Sequence, residues 1–294
     1  MGAMPELPEV ETVKIGLQRL LPGKVLARAE SDSPKSFPNT AADVNEFLIN
    51  ASVVAVKRRA KVLMIELSTK YTLLVHLKMT GQLVFHSSTA HFGAGHPNDS
   101  LSRELPDKST RATLTFTDGS SLFFNDQRKF GWMRLLPTAE IPQLDFFKKV
   151  GPEPLQADFM WQQFQGRLLR RKNTNIKAAL LDQSVIAGVG NIYADESLWG
   201  AKLHPTTLVR NVSDTSFKAL FTALQDVLQL SIDHGGSSNS TYVDAEGNKG
   251  SYMAFANVFR REGQPCNRCG TTIIKTRVAG RGTHTCPKCQ KPIN

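Results

Sequence analysis

The chain contains 294 residues and carries 36 lysines and arginines against 26 aspartates and glutamates, which gives a formal net charge of +10. A basic surplus of this size favours a polyanionic partner. No apolar run approaches the roughly 20 residues that span a bilayer, and the N-terminal region lacks the apolar core of a signal peptide. We therefore expect a cytoplasmic protein with no membrane partner, and the length predicts two domains rather than one core.

The first predicted element is a short amphipathic helix that follows Pro5 and Glu6. Apolar residues recur at helical spacing from Val10 to Leu21, and a Pro-Gly pair then ends the helix. Proline and carboxylates are common at a helix start for structural reasons alone. The alternative is chemical. With everything through Met4 removed, Pro5 would be a free secondary amine that attacks an aldehydic carbon, and Glu6 would exchange protons beside it.

The sequence after this helix is rich in β-strand patterns. Two segments that alternate apolar and polar residues flank Asp118-Gly119, which predicts a hairpin. A two-sheet sandwich or a flattened barrel accommodates such strands. Residues 86–107 are rich in Ser, His, Gly and Pro and are predicted to form a loop. The predicted strands cover residues 24–29, 52–57, 62–67, 72–77, 112–117 and 121–125.

A change of composition marks a second, helical part of the chain. Residues 137–154 contain several prolines and predict a linker. Residues 183–190 then join two predicted helices through two successive tight turns. Such turns can present backbone N–H groups and Asn191 to a phosphate, although glycines needed only for positive φ and close packing explain the same run. The predicted helices cover residues 159–169, 176–182, 191–199 and 213–234.

All four cysteines lie in a basic C-terminal stretch, as two Cys-x2-Cys pairs. From residue 257 to residue 294, eight basic residues accompany a single acid, Glu262. The cysteine spacing predicts four thiolates around one structural Zn2+ with a β-hairpin between the pairs, and disulfides are the alternative. Arg281 lies in the predicted hairpin turn, where it either contacts a groove or phosphate of the polyanionic partner or is simply solvated. The predicted zinc ligands are Cys266, Cys269, Cys286 and Cys289.

Several signatures follow one another along the chain. Residues 5–12 (PELPEVET), 58–61 (RRAK) and 188–194 (GVGNIYA) precede the cysteine pairs. Together they resemble the bacterial formamidopyrimidine-DNA glycosylase family over essentially the whole chain. The resemblance implies an α+β fold, with an N-terminal helix and a two-sheet β-sandwich followed by a helical helix–two-turn–helix domain with a β-hairpin zinc ribbon. The expected boundaries are 1–136 for the catalytic domain, 137–156 for a linker, 157–236 for the helical DNA-binding domain, 237–258 for a flexible lesion-recognition loop and 259–294 for the zinc ribbon.

The resemblance also implies an activity, base-excision repair of oxidised purines. The enzyme would flip 8-oxoguanine or a formamidopyrimidine out of duplex DNA, excise it and nick the abasic site by β,δ-elimination. Pro5 would be the N-terminal nucleophile that forms an iminium, Glu6 would transfer protons, and Lys61 would approach the lesion and an adjacent phosphate. No organic cofactor is implied. The expected partner is damaged double-stranded DNA, bound by a monomer in the bacterial nucleoid.

Three further residues match the void-filling trio of the family. Met79 and Phe130 would wedge into a base step, and Arg128 would hydrogen-bond the base left without its partner. Taken singly, Met79 and Phe130 are more often core residues. Both follow strands and adjoin glycines, which favours exposed loop tips.

Phosphate contacts are expected from Asn191 and Arg281, with Lys177 as a further candidate. Where many relatives carry Lys-His-x-His before the central hairpin, this chain has Lys-Ser-Thr-Arg, so we expect Arg111 to take over that contact. The tract before the zinc ribbon either orders on the lesion or serves as a linker. The expected lesion contacts are Tyr242, Ser251 and Tyr252.

Alternative functions make distinct predictions. Met1-Gly2-Ala3 resembles a cloning remnant, and if residues 1–4 are retained, Pro5 stays in an amide bond and the chain is expected to be inactive. A protein that kept the scaffold but lost the chemistry would bind damaged or abasic DNA without cutting it. An RNA-binding or regulatory protein with a zinc ribbon would explain the basic C-terminal stretch but not the N-terminal signature or the void-filling residues.

Overall fold

The structure is a computed structural model that describes residues 5–96, 101, 103–237 and 252–292. It divides into two compact units, Met1–Lys148 with His234–Ser251 and Lys149–Asp233 with Tyr252–Asn294. The first unit holds the N-terminal helix and two β-sheets, and the second holds helices and a C-terminal hairpin. The predicted α+β fold is therefore confirmed.

Helix α1 (Leu7–Leu20) begins directly after Glu6. The backbone N–H of Glu6 donates to the Glu9 carboxylate at 2.8 Å. This bond satisfies a donor that the first turn of a helix cannot pair within the helix. The apolar face of α1, which includes Val10, Val13 and Leu17, is buried. The predicted amphipathic helix is present, with its start beside Pro5.

Two antiparallel sheets form a sandwich on one shared core. The strands are β1 (Leu26–Glu30), β2 (Val53–Arg59), β3 (Val62–Leu67), β4 (Tyr71–His76), β5 (Gly81–His86), β6 (His91–Gly95), β7 (Thr110–Phe116), β8 (Ser121–Asp126) and β9 (Trp132–Pro137). One sheet has the order β2-β3-β4-β9 and the other the order β1-β7-β8-β5-β6. Alternation directs apolar residues of both sheets inward. Leu63 and Val75 of one sheet and Leu83 and Phe124 of the other belong to the same buried cluster, which also includes Leu17 of α1.

The prediction of a loop over residues 86–107 is wrong for β6. Its glycine-rich sequence is typical of a loop, but here glycine permits close strand packing. Gly95 has φ +124°, and a Cβ at this position would lie 2.5 Å from the carbonyl oxygen of Gly81. Strands β5 and β9 also have no counterpart in the sequence prediction.

Helix α1 packs closely on β6. A Cβ added to Gly16 would lie 2.1 Å from the ring of Phe92. The absence of a side chain at position 16 therefore sets how near the helix lies to the sheet. The close approach of α1 to β6 buries the phenyl ring of Phe92 in the shared core.

Short helical elements that the sequence patterns do not predict complete the first half of the chain. They are too brief for hydrophobic periodicity to be visible. They are α2 (Ala41–Asp43), a π-helical turn (Val44–Leu48), a 3-10 helix (Thr138–Gln143) and α3 (Asp145–Lys149).

Two connections cross between the sheets at the same end of the sandwich. Residues 77–80 lead from β4 to β5, and residues 127–131 lead from β8 to β9. The flanking strands are paired: β4 runs beside β9 in one sheet, and β5 runs beside β8 in the other, where Gly81 lies opposite Asp126. The two crossing connections, which we call the 77–80 turn and the 127–131 turn, therefore lie side by side.

The second unit contains α4 (Trp161–Leu169), α5 (Ile176–Leu181), α6 (Asn191–Gly200) and α7 (Asp214–Asp233), which match the four predicted helices apart from their ends. Gln183 closes the α5–α6 connection. Its side chain accepts the Gly188 N–H at 2.9 Å and donates to the Val189 carbonyl at 2.8 Å. Gly188 has φ +77°, a conformation that favours glycine.

A two-stranded hairpin of β10 (Ile274–Val278) and β11 (Arg281–Thr285) follows. Its turn residues Ala279 and Gly280 both have positive φ, at +49° and +73°. Such turns match the right-handed twist of the flanking strands. Within residues 5–96, 101, 103–237 and 252–292, no helix combines the length and apolar character needed to cross a bilayer.

Candidate active site and DNA-binding surface

Pro5 and Glu6 lie at the buried start of α1. Glu6 is 2% exposed, and its backbone is held by the Glu9 carboxylate. The second oxygen of Glu9 accepts the backbone N–H of Ser237 at 2.7 Å. One carboxylate thus joins the helix start to the chain beyond α7. The structure places the two predicted catalytic residues side by side at the start of α1, where backbone nitrogen groups have no partner within the helix.

Lys61 lies in the tight turn between β2 and β3. Ala60 in this turn has φ +52°, a left-handed conformation that is strained for alanine. The Arg58 guanidinium donates to the Ala60 carbonyl at 2.8 Å and to the Glu11 carboxylate of α1 at 2.6 Å. These bonds fix the turn to α1. Lys61 itself is only 7% exposed.

The ion pair between Arg58 and Glu11 also affects the pKa of Glu11. Burial raises the pKa of Glu11, but the hydrogen bonds and charges of Arg58 and Lys14 outweigh burial, so the net pKa lies below the ordinary value. Glu11 therefore stays ionised and holds the guanidinium. The sequence marks Arg58 only as part of a signature. Its positioning role requires the structure, because Glu11 lies 47 residues away along the chain.

Met79, Arg128 and Phe130 lie in the two adjacent crossing turns. The sequence predicts loop positions for Met79 and Phe130, and the structure places Met79 in the 77–80 turn and Phe130 after β8 in the 127–131 turn. Phe130 is 45% exposed. The Arg128 guanidinium lies 4.8 Å from the centroid of its ring, a cation–π distance. An exposed phenyl ring and an arginine thus share one edge of the sandwich.

His76, at the end of β4, supports the 77–80 turn. Its Nδ1 accepts the backbone N–H of Lys78 at 3.0 Å, and Lys78 has φ +52°. Burial, reinforced by the charges of Lys78 and Lys61, lowers the pKa of His76 to about 3. The ring is therefore a neutral acceptor at physiological pH.

Arg111 does not occupy the exposed position that a phosphate contact requires. Its side chain is buried, and Nε donates to the Asp126 carbonyl at 2.9 Å while a second nitrogen donates to the Lys108 carbonyl. A carboxylate oxygen of Asp32 lies 4.0 Å away. The expectation of a direct phosphate contact is corrected here, because the guanidinium binds backbone at the edge of the sheet.

In the second unit, Asn191 is the first residue of α6, and Arg281 is the first residue of β11. The Asn191 amide donates to the Gly282 carbonyl at 2.9 Å, next to Arg281 in the chain. Arg281 is exposed at the hairpin tip. The helix N-terminus and the hairpin tip are thereby joined, and both are places where phosphate binding is common.

Lys177 is also placed differently from the sequence expectation. Its side chain is 0% exposed, and Nζ lies 2.7 Å from a carboxylate oxygen of Asp195, which is equally buried. The ammonium also donates to the Thr283 hydroxyl at 2.7 Å and to the Gly282 carbonyl at 3.1 Å. A direct phosphate contact is therefore not what this geometry provides. Lys177 instead ties α5 and α6 to the hairpin that carries Arg281.

Asp195 and Glu196, consecutive on α6, hold two parts of the C-terminal region. Asp195 accepts the His284 N–H at 2.9 Å. Glu196 accepts the N–H groups of Val258 at 2.9 Å and Phe259 at 2.8 Å. Burial raises the pKa of Glu196 despite these bonds. The sequence alone does not single out these two acids, since an acidic pair on a helix ordinarily faces solvent.

The lesion-loop residues are only partly within the described structure. Tyr252 is 1% exposed, and its ring centroid lies 5.6 Å from that of Tyr193. The expected lesion contact of Tyr252 is therefore corrected, because the ring packs in the helical unit. Tyr242 and Ser251 lie outside the described residues.

The four cysteines form a cluster whose Sγ atoms all lie within 4.8 Å of one another. The Cys266–Cys289 and Cys269–Cys286 sulfur separations are 4.0 and 3.4 Å. A tetrahedral zinc with Zn–S bonds of about 2.3 Å places its sulfurs about 3.8 Å apart, so the cluster fits this ion. All four thiols are free rather than disulfide-bonded. The prediction of one structural Zn2+ is confirmed, and a full cysteine set leaves no open position for catalysis.

Neighbouring groups support the thiolates. The Trp199 indole N–H donates to Cys266 Sγ at 3.4 Å. Hydrogen bonds from Thr271 lower the pKa of Cys269 to about 6. Such outer contacts orient metal ligands and favour their ionised form.

An N-terminal helix on a β-sandwich, a helix–two-turn–helix unit and a hairpin with a four-cysteine zinc site define a class of zinc-containing DNA repair glycosylases. Three family models match consecutive parts of the chain: the formamidopyrimidine-DNA glycosylase N-terminal domain at residues 4–133, the corresponding H2TH domain at residues 150–243, and the zinc finger found in FPG and IleRS at residues 263–292. The chain belongs to the formamidopyrimidine-DNA glycosylase family.

Individual relatives agree over the full length. The formamidopyrimidine-DNA glycosylase of Pelotomaculum thermopropionicum is 39% identical over 98% of this chain and 99% of its own. That of Herpetosiphon aurantiacus is 40% identical over 98% and 100%. A complex between a Lactococcus lactis FPG mutant and a Fapy-dG containing DNA has a TM-score of 0.85 at 34% identity, covering 98% of this chain and 100% of its own. The MutM protein of Thermus thermophilus has a TM-score of 0.83 at 34% identity, with 99% and 100% covered.

Proposed function

We propose that this chain performs base-excision repair with Pro5 as the nucleophile and Glu6 as the group that transfers protons. As a family member it is a DNA glycosylase and abasic-site lyase that acts on oxidised purines in DNA. The observation that carries this function is the match of family and fold along the entire chain. Relatives of the same fold have been captured with Fapy-dG containing DNA and with abasic-site DNA.

Pro5 is the nucleophile of this proposal. The lone pair of its nitrogen forms a bond to C1′ of the damaged nucleotide as the bond from C1′ to the base breaks, and the base leaves with a proton. Opening of the sugar gives an iminium, which acidifies the C2′ hydrogen. Loss of that proton expels the 3′ phosphate by β-elimination, and δ-elimination then expels the 5′ phosphate. Glu6, adjacent in the chain and buried, transfers protons to the sugar and leaving group.

The proline must be a free amine for this chemistry. In an amide, the nitrogen lone pair is delocalised into the carbonyl and does not attack carbon. The N-terminal family model begins to match at residue 4. We therefore expect activity when Pro5 is the first residue of the mature protein, and none while residues 1–4 are attached.

The two crossing turns supply the residues that replace a flipped nucleotide. Met79 and Phe130 enter the base stack, since apolar wedges open base steps, and Arg128 hydrogen-bonds the partner base. The exposure of Phe130 and its contact with Arg128 support these roles. Lys61 approaches the lesion from the turn that Arg58 fixes to α1.

Asn191 and Arg281 contact phosphates in this proposal. Their hydrogen-bonded arrangement at a helix start and a hairpin tip supports a joint contact. Phosphate contacts carry no sequence information, which suits an enzyme that must search any DNA. We further propose that Tyr242 and Ser251 contact the lesion, and that the protein acts as a monomer on the chromosome in the cytoplasm.

Borohydride trapping tests the mechanism. Protein that begins at Pro5 is mixed with duplex DNA containing 8-oxoguanine and reduced, and we expect a covalent adduct at the mass of protein plus cut strand. Protein that retains Met4 is the matched control and is expected to give no adduct. Binding without an adduct or strand cleavage by the Pro5 form would show a damage-binding protein without catalysis instead.

A further inference from the structure

A fully buried carboxylate lies between the two crossing turns. Asp126, the last residue of β8, is 0% exposed. One oxygen accepts the Thr80 hydroxyl and the Arg128 N–H, the latter at 3.2 Å. The other oxygen accepts the Gly131 N–H at 2.6 Å. The carboxylate therefore bonds both the 77–80 turn and the 127–131 turn.

The partners of Asp126 are a void-filling residue and the immediate neighbours of the other two. Thr80 follows Met79 in the chain, and the bonded N–H groups belong to Arg128 and to the residue after Phe130. The Thr80 hydroxyl oxygen also accepts the Arg128 N–H at 3.1 Å. The two turns thus meet in one hydrogen-bonded cluster rather than in separate local bonds.

Each side-chain hydrogen bond of Asp126 in this cluster is one that it accepts. The donors are the Thr80 hydroxyl and the backbone N–H groups of Arg128 and Gly131, and a carboxylate offers two oxygens that can accept from all three. Burying a carboxylate is costly, and the cost is offset only when its oxygens are hydrogen-bonded. Bonds to a charged group are shorter and stronger than neutral ones, so they define the positions of the turns more sharply.

The surroundings leave little room for the 127–131 turn to shift. A Cβ on Gly131 would lie 2.7 Å from the Phe124 ring and 3.1 Å from a carboxylate oxygen of Asp126. The backbone carbonyl of Asp126 accepts the buried Arg111 guanidinium at 2.9 Å. Arg111 thus belongs to the same support. It holds the end of β8 from the neighbouring strand β7.

We propose that Asp126 is a positioning residue that joins the two turns into one rigid unit, so that Met79, Arg128 and Phe130 enter the duplex together. This inference rests on the void-filling role given to those side chains above. When the two turns form one rigid unit, their side chains are already ordered before DNA binds. The free-energy cost of ordering them is then not added, during binding, to the free-energy cost of base flipping. The abasic-site chemistry at Pro5 does not depend on this unit when no base has to be flipped.

The test compares Thr80→Val with Thr80→Ser. Valine has a similar shape but no hydroxyl, so it breaks the bond between Asp126 and the 77–80 turn, whereas serine keeps the bond. On duplex DNA containing 8-oxoguanine, we expect the single-turnover excision rate of T80V to fall about tenfold or more, the scale of one lost bond to a charged group. T80S is expected to stay within about twofold of the unmodified protein, a factor well below that bond's scale.

Single-stranded DNA with an abasic site provides the second readout. No base is present to be flipped there, so T80V and T80S are expected to form borohydride adducts at equal rates. The fluorescence of 2-aminopurine placed next to the lesion reports unstacking, and its change on binding is expected to be smaller with T80V. Asp126→Asn is expected to lower the excision rate more than T80V does, because the NH2 group of asparagine would face an N–H or hydroxyl donor.

The outcomes separate this proposal from the function on which it rests. If the unsubstituted protein that begins at Pro5 forms no adduct on either DNA, the proposed function fails. If it does and T80V matches T80S on duplex DNA, the positioning role of Asp126 is wrong. A loss by T80V that is equal on both DNAs and follows a lower melting temperature would also overturn it, since that result indicates only weakened folding.

Discussion

Replacing Lys177 with methionine separates a buried structural role from a phosphate contact. Methionine keeps most of the side-chain length but removes the ammonium that lies 2.7 Å from Asp195 inside the second unit. The aspartate would then be buried without its cation. Breaking a buried ion pair in this way costs about 3–5 kcal/mol, and the lost bonds to Thr283 and Gly282 lie within that figure.

The double variant Lys177→Met/Asp195→Asn provides the control for this prediction. Asparagine removes the stranded charge and still accepts the His284 N–H through its carbonyl oxygen. We expect it to recover about 2 kcal/mol of the loss, because buried pairs replaced as a pair cost much less than broken ones. Urea unfolding followed by tryptophan fluorescence measures these changes, since Trp199 contacts the zinc ligand Cys266.

DNA binding distinguishes the competing role. A lysine that neutralises one phosphate contributes about 0.9 to the slope of log affinity against log salt. If K177M unfolds at the same urea concentration as the unmodified protein and lowers that slope by about this amount, the buried role is refuted. We expect the reverse, a large loss of stability with the slope of the folded protein unchanged.

Three further predictions concern separate parts of the molecule. Arg281→Ala is expected to weaken binding to duplexes of any sequence and to lower the salt slope by about 0.9, as measured by fluorescence anisotropy; a sequence-dependent loss would contradict a phosphate contact. Cys286→Ser is expected to reduce zinc content, measured by mass spectrometry of the native protein, and to weaken DNA binding in parallel; full zinc retention would oppose the assignment of all four cysteines as ligands. For His76, the unfolded ring with pKa 6.5 takes up a proton on acidification while the folded ring does not until about pH 3. Its contribution to stability is therefore complete above pH 6.5 and is lost as pH falls, by about 1.4 kcal/mol per unit. His76→Asn should remove that slope from urea titrations between pH 6 and pH 4, and an unchanged slope would show that the folded ring is protonated.

Motifs with local causes could be predicted from the sequence. The cysteine spacing, the amphipathic period of α1 and the hairpin around Asp118-Gly119 depend on residues close together in the chain. The same holds for the loop positions of Met79 and Phe130, since each follows a strand and precedes or adjoins a glycine. For these features the local pattern and the tertiary structure agree.

Long-range pairing explains what the sequence did not predict. Lys177 and Arg111 are basic residues of the type that commonly binds phosphate at a protein surface. Lys177 instead forms an ion pair with Asp195 and a hydrogen bond with Thr283, which is 106 residues away. Arg111 bonds the end of a neighbouring strand. Whether a cation is exposed or buried depends on such partners, and no local pattern records them. The same reason hides Asp126, whose significance lies in two turns that become neighbours only when both sheets form.

The closeness of Gly16 to Phe92 has a consequence for how these enzymes diversify. With only 2.1 Å between a hypothetical Cβ at position 16 and the ring at position 92, neither position can change freely alone. A larger residue at 16 becomes acceptable only where 92 is small, and a lineage that loses the aromatic ring gains room for a side chain on the helix. In homologous sequences we therefore expect substitutions at these two positions to occur together, although 75 residues of chain separate them.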